Sequence, residues 1–293
     1  MAPVALEQTY APTSFSLLKP VYNGTSSVEG SYPTFADEAR PQTFEDYLSR
    51  AETVAKLLAV DVSQREANNV VPHKQVQLLK DAGLVTALGP QQYGGGGLTF
   101  SQGYKLQRAV AAGDGSIGQL LAYHYLWSYT AQVIGTEEQI AFEARRYTEA
   151  NAFIGGAVNP RDSDLHVSES EDGQYIIFNG RKAFSTGSKV SDLTVLEGVV
   201  AGTDIHVFAL AESRQPGIVY GDDWKDVLGM RGTQSGSIRI DNIRVPWSAA
   251  LGFKDKIFQP LGAYNTLLLP AIQLQFINFY LGIAQGALQK ASQ

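Results

Sequence analysis

The residues whose types and spacing could do chemistry gather in one stretch, 179–192, NGRKAFSTGSKVSD. An aromatic, Phe184, is followed by Ser185, Thr186 and Gly187. Small hydroxylated residues at a strand end leave room for a flat ligand and offer O–H and N–H groups to its polar edge. Asn179-Gly180, just upstream, favours a hairpin turn. The same residues also spell an ordinary turn at a strand end, so their use depends on what the chain places beside them. Other chemistries find less material. There is no cysteine, which removes disulfides, thiolate catalysis and Cys-ligated zinc and fits a reducing compartment. His73, His124, His166 and His206 are too scattered for a local ligand pair, and GxSxG and HExxH are both absent. The four glycines at 94–97 lack the Lys-Ser/Thr of a phosphate loop. They read as a tight connection that lets two helices approach closely.

The elements that must position the stretch change type along the chain. At 293 residues, 44% apolar, it can hold one large domain or two smaller ones. Net charge is −6 and the pI is near 5.3, which disfavours nucleic acid and anionic membranes as partners. Residues 1–40, rich in Pro, Ser, Thr and Gly, read as an extended arm. A helix begins at Thr43, a second follows Pro72 and closes at Gly83, a third starts at Thr99, a fourth is capped by Asp114, and Thr136 with Gln139 opens a fifth. Residues 41–150 are thus expected to form a bundle of about five helices. From Phe153 the period shortens to that of strands: FIGGAV, LHVSES, QYIIFNG, LTVLEGVV, DIHVFALA, GIVY and SIRIDNIRV. Turn signals stand at Asp172-Gly173, Asn179-Gly180, Gly202-Thr203 and Asp241-Asn242. The expectation for 151–252 is a compact antiparallel β-barrel or sandwich. Residues 253–293 return to helix, with no charge from Ile257 to Gln289. Gln and Asn are too frequent there for a membrane span, so a buried helix is expected. It carries two apolar rows, Leu274, Ile277, Leu281, Ala284, Leu288 and Ile272, Phe276, Phe279, Ile283, Ala287, and both call for cover.

Helices, then a β-barrel, then a long apolar helix is the order of the acyl-CoA dehydrogenase superfamily, and four segments resemble its motifs. DAGLVTALGPQQYGG resembles the turn between N-terminal helices, and GRKAFSTGSKVSD the flavin strand. LGMRGTQSGSIRIDNIRVP resembles the Leu-Gly-x-Arg segment, and LGIAQGALQKA the start of the C-terminal helical domain. Within the superfamily the chain is most similar to the flavin-dependent monooxygenases of the dibenzothiophene monooxygenase type, through DDWKDVLGMRGTQSGS and AIQLQFINFYLGIAQGAL. The resemblance implies an α+β multidomain fold, truncated within its C-terminal bundle. It implies a flavin cofactor, FAD or FMN, and a small organosulfur or related substrate. It also implies a homo-oligomer, dimer or tetramer. The expected location is the cytoplasm, with peroxisome and mitochondrion left open. Carried over residue by residue, Thr186 matches the hydroxyl near flavin N5, Phe184 the aromatic before it, and Trp224 the tryptophan before the Leu-Gly-Met-Arg turn. Ser185 and Asn159 join this cofactor-binding set. His124, Tyr125 and Tyr129 fall on the pocket helix as catalytic candidates, although His124-Tyr125 stands where that branch often has two histidines. The alternatives are an acyl-CoA dehydrogenase whose base lies outside this chain, since no Asp or Glu follows Asp255, and a non-catalytic fragment that self-associates.

Overall fold

The computed structural model describes residues 32–292 except 160, 163, 261, 263 and 264. The arm expected over 1–40 falls outside the described residues as far as 31. From Tyr32 the chain is irregular up to Gln42, and Phe35 is buried in the helical core.

Among the described residues seven α-helices come first: α1 Phe44–Ala59, α2 Val62–Ala67, α3 His73–Asp81, α4 Phe100–Gly113, α5 Gly115–Ser128, α6 Thr130–Ile134 and α7 Glu137–Glu149. Thr43, Thr99 and Thr136 close reciprocal capping boxes with Asp46, Gln102 and Gln139. The Asp114 side chain accepts the Ile117 N–H. Helices α2 and α6 escape a reading by period because they are only 6 and 5 residues long. Apolar faces of α1, α3, α4 and α5 meet in one core around Val54, Leu58, Leu79, Leu106, Ile117 and Leu121. The glycines at 94–97 do not bring two helices together. Gly96 N–H bonds to Thr86 O and Leu98 N–H to Ala87 O, so the run folds back on its own upstream loop. A Cβ on Gly95 would stand 2.1 Å from Gly89 O, which excludes any side chain.

The seven expected strands are all present: β1 Ile154–Ala157, β2 Leu165–Glu169, β3 Tyr175–Lys182, β4 Leu193–Val200, β5 His206–Glu212, β6 Ile218–Tyr220 and β7 Ile238–Pro246. They form one sheet in the order β1-β4-β2-β3-β7-β6, with β5 on β4. The sheet is mixed, not antiparallel, because β1 and β2 both run parallel to β4. Alternation reveals which residues share a face but not which way the neighbouring strand runs. Among the described residues β5 and β6 have one partner each, so the barrel stays open. Two expected turns are also corrected. Strands β3 and β7 run straight through Asn179-Gly180 and Asp241-Asn242, and the register shifts between Phe178 and Gly180. Partners on both flanks outweigh the local turn preference and convert it to a bulge. Gly180 takes φ +134°, where a Cβ would meet Asp164 O at 1.9 Å. A small hairpin, β8 Phe253–Lys254 with β9 Ile257–Phe258, follows.

The last helix, α8 Leu268–Ala291, packs on α4 and α5. Its most buried face is neither apolar row but Gln275, Asn278, Phe279, Gly282 and Gly286. The two glycines let the helices touch: Cβ atoms there would lie 2.3 Å from Arg108 O and 2.1 Å from Ala112 O. Gln107 Nε2 donates to Gln275 O at 3.0 Å, and the Arg108 guanidinium bonds Asn278 Oδ1. The Leu274–Leu288 row stays exposed, and of the other row only Phe279 is fully buried. The expectation that both rows are covered is therefore met on one side only.

Candidate functional site

Strand β3 ends at Lys182, and the chain then passes through Phe184 at φ +57°. A non-glycine residue in this region is held by its surroundings. Phe184 is 60% exposed, with its ring edge-on to Trp224 at 5.9 Å. Trp224 donates Nε1–H to Met230 O at 3.1 Å. Two chain segments, 184–188 and 230–236, then zip together behind this aromatic pair. Ser185 gives both its N–H and its hydroxyl to Gly236 O, at 2.9 and 2.7 Å. Gly187 N–H bonds Thr233 O at 3.2 Å. Thr186 Oγ1 lies 2.9 Å from Ser235 Oγ, Ser235 Oγ 2.7 Å from Thr233 Oγ1, and Thr233 Oγ1 2.8 Å from Met230 O. All three hydroxyl residues are buried.

The 230–236 turn is itself under strain. Met230 and Gln234 both sit in the left-handed region, at φ 62° and 47°. The helical half of the molecule grips it. The Glu66 carboxylate accepts the N–H of Arg231 at 2.7 Å and of Gly232 at 3.3 Å. Gln234 Nε2 reaches Asn69 Oδ1 at 3.3 Å. A Cβ on Gly232 would press on Ser116 of α5 at 2.9 Å. Thr233 and Ser235 fall within the Leu-Gly-Met-Arg segment without being singled out there, and Glu66 lies outside every motif. Glu66 stands 165 positions from Arg231, and nothing local marks it.

The structure brings Phe184, Ser185, Thr186 and Trp224 together, but it gives His124 and Tyr125 other work. His124 is fully buried. Its Nε2 meets Val85 O at 2.7 Å, and its Nδ1 accepts the Ile154 N–H at 3.0 Å. Because the carbonyl accepts and the amide donates, the proton resides on Nε2. Burial drives the ring's pKa down to about 4. Both nitrogens are spent tying α5 to the 84–88 loop and to β1, so the imidazole has no site left for a substrate. The Tyr125 hydroxyl donates to Leu84 O at 2.8 Å, and burial holds its pKa well above the usual phenol range. Tyr129 ends α5 and packs its ring on Phe100 at 4.8 Å. These contacts give His124 and Tyr125 a pinning role between α5, the 84–88 loop and β1.

Asn159 is held through its main chain. Its N–H reaches Glu197 Oε2 at 3.2 Å, and its carbonyl accepts Lys182 Nζ at 3.0 Å. Lys182 and Glu197 form a fully buried ion pair at 2.8 Å, and the His206 imidazole closes on the other Glu197 oxygen. Among the described residues no group of three or more His, Cys, Asp or Glu could hold a metal ion. No helix of the described residues is long and apolar enough to cross a membrane.

The seam sets the exposed Phe184 ring and the half-buried Trp224 ring beside a buried hydroxyl chain, an apolar edge next to a polar one of the kind that suits a flat ring system. Residues 48–142 match the family model described as acyl-CoA dehydrogenase, N-terminal domain. A dibenzothiophene monooxygenase of Rhodococcus erythropolis is 33% identical over 226 residues, 73% of this chain and 54% of that protein. A probable FMNH2-dependent monooxygenase, SfnC, of Pseudomonas putida is 29% identical across 84% of this chain and 61% of its own length. Among solved structures, methanesulfinate monooxygenase MsuC from Pseudomonas fluorescens superimposes with a TM-score of 0.77 at 29% identity, over 84% of this chain and 62% of that one. FMN-bound TdsC from Paenibacillus sp. A11-2 gives 0.75 at 29% identity, over 84% and 64%. The chain thus spans about half the length of the first of these relatives, 54%. The matched helical domain, these relatives and the shared fold make the chain similar to the acyl-CoA dehydrogenase superfamily, and the relatives named here include flavin-dependent monooxygenases.

Proposed function

We propose that this chain binds reduced FMN and serves a monooxygenase that places one oxygen atom of O2 on a small organosulfur compound. The observation that carries this reading is the seam itself. An exposed Phe184 ring paired with a half-buried Trp224 accompanies the buried Thr186–Ser235–Thr233 hydroxyl chain, on the stretch that resembles the flavin strand. The names of two relatives, FMNH2-dependent and FMN-bound, support FMN over FAD. Bound reduced flavin would supply the electrons that activate oxygen. The chain's own residues supply the enclosure. Phe184 and Trp224 cover the ring's apolar edge and exclude water. Thr186 would meet the ring at its N5 edge, with Ser185 tying this segment to Gly236 behind it; Asn159, held by Glu197 and Lys182, is not brought into this group.

The test is binding of FMN to the purified chain, followed by turnover of reduced FMN and O2 with a panel of thioethers, sulfinates and acyl-CoAs. Oxygen-free dehydrogenation of an acyl-CoA would defeat the monooxygenase reading. Thr186→Val keeps the size and removes the hydroxyl, and it is expected to weaken FMN binding by roughly 1 kcal/mol. Unchanged affinity would reduce Thr186 to a strand end.

Self-association through α8 is part of the same proposal. Leu274, Ile277, Leu281 and Leu288 line its exposed face, a patch of the kind that marks an interface. Phe279, by contrast, is fully buried against α4 and α5, so changing it would damage the intrachain packing instead. Ile277→Ser with Leu281→Ser is expected to lower the oligomeric state seen by analytical ultracentrifugation. A wild-type monomer at tens of micromolar would refute the interface.

A further inference from the structure

The three hydroxyls behind the aromatic pair form a chain whose direction can be read from one end. Met230 O has no hydrogen to give, so the 2.8 Å contact with Thr233 Oγ1 uses the Thr233 proton. A hydroxyl carries one proton, and that of Thr233 is spent. The 2.7 Å contact between Thr233 and Ser235 must then use the Ser235 proton. By the same count, the 2.9 Å contact between Ser235 and Thr186 uses the Thr186 proton. Thr186 therefore ends the chain as an acceptor only. Its proton points back to Ser235, and only its lone pairs remain for a ligand. All three residues are 95% or more buried, which shields the order from exchange with water.

We infer that Ser235 and Thr233 are positioning residues that fix the polarity of the Thr186 hydroxyl, so that this edge of the site accepts a hydrogen bond and cannot donate one. The inference rests on the proposal that the flavin N5 edge meets Thr186. An oxidised isoalloxazine presents N5 as a bare acceptor, and two acceptors face to face repel. A reduced ring presents N5–H, which the Thr186 lone pair receives. The relay thus selects the redox state of the cofactor without touching it. Met230 O, which also takes the Trp224 Nε1–H and the Thr233 N–H, anchors the far end. Its left-handed backbone, φ 62°, aims that carbonyl at three donors at once.

The test compares dissociation constants of oxidised and reduced FMN, the latter measured anaerobically, for the whole chain and three variants. Wild type is expected to bind the reduced form at least tenfold more tightly. Ser235→Ala leaves Thr186 in place but frees its proton, so the preference should fall to threefold or less, with oxidised FMN binding better than before. Thr233→Val lets the Ser235 proton turn toward Thr186 and should shift the preference the same way, which provides a second route should Ser235→Ala fold poorly. Thr186→Val should weaken the reduced form more than the oxidised. If the relay residues only support the turn, both redox forms lose affinity equally and the ratio holds, and that result overturns the inference. Equal binding of the two forms by wild type overturns it while leaving the flavin site standing. Binding of neither form overturns the flavin reading and the relay's role together.

Discussion

The surroundings of His124 and of Thr186 use similar groups to opposite ends. At His124 both ring nitrogens, and the hydroxyl of the adjacent Tyr125, find main-chain partners. The imidazole joins Val85 O to the Ile154 N–H, and Tyr125 bonds Leu84 O, all within the buried core. Around Thr186 the hydroxyls bond one another, and an aromatic residue stays 60% exposed on strained backbone. The first region is satisfied and rigid. The second has a lone pair and a ring face left over. Chemical type therefore says little about role, whereas unspent bonding capacity says a great deal.

The contrast predicts opposite responses to substitution. Replacing His124 with Leu orphans a buried carbonyl and a buried amide, so stability should fall by about 3 kcal/mol in urea titrations, with FMN affinity per folded molecule unchanged. If stability held and affinity collapsed, the two regions would have to exchange roles. Acid should expose the same residue. Its pKa is about 4 folded against 6.5 free, so in that window the unfolded chain takes up a proton that the folded chain refuses. The stabilisation is complete above the free value and is lost as pH falls, at up to about 1.4 kcal/mol per pH unit, levelling near the folded value. The difference between wild type and His124→Leu, measured by urea titration from pH 7 to 4, should show this slope. A flat difference would mean the ring is not buried neutral.

At the second region, Trp224→Ala removes a ring contact with Phe184 and should cost FMN binding roughly 1 kcal/mol, about fivefold. Fluorescence titration would read the loss, and the unfolding midpoint should hardly move. The smallest effect is expected for Tyr125→Phe, which forfeits one buried hydrogen bond and about 1 kcal/mol of stability at unchanged affinity. A larger loss of flavin binding than of stability there would return Tyr125 to the catalytic set.

Much of this was legible in the sequence because it depends on short range. Capping boxes at Thr43, Thr99 and Thr136 and the seven alternating strands are written within a few residues of one another. So is the cluster Phe184, Ser185, Thr186, whose small side chains mark a strand end. Where local signals met tertiary competition they lost. Asn179-Gly180 became a bulge because β2 and β7 claim both flanks of β3. Strand direction, hence the mixed sheet, lies outside what alternation encodes. On α8 the apolar rows suggested two buried faces, yet Gly282 and Gly286 chose the seam with α4 because only they allow main chains to touch. The fate of each polar group was decided in the same way. His124 and Thr186 found their partners 30 to 49 positions away, and a hydrogen bond depends on distance in space, which sequence separation does not supply.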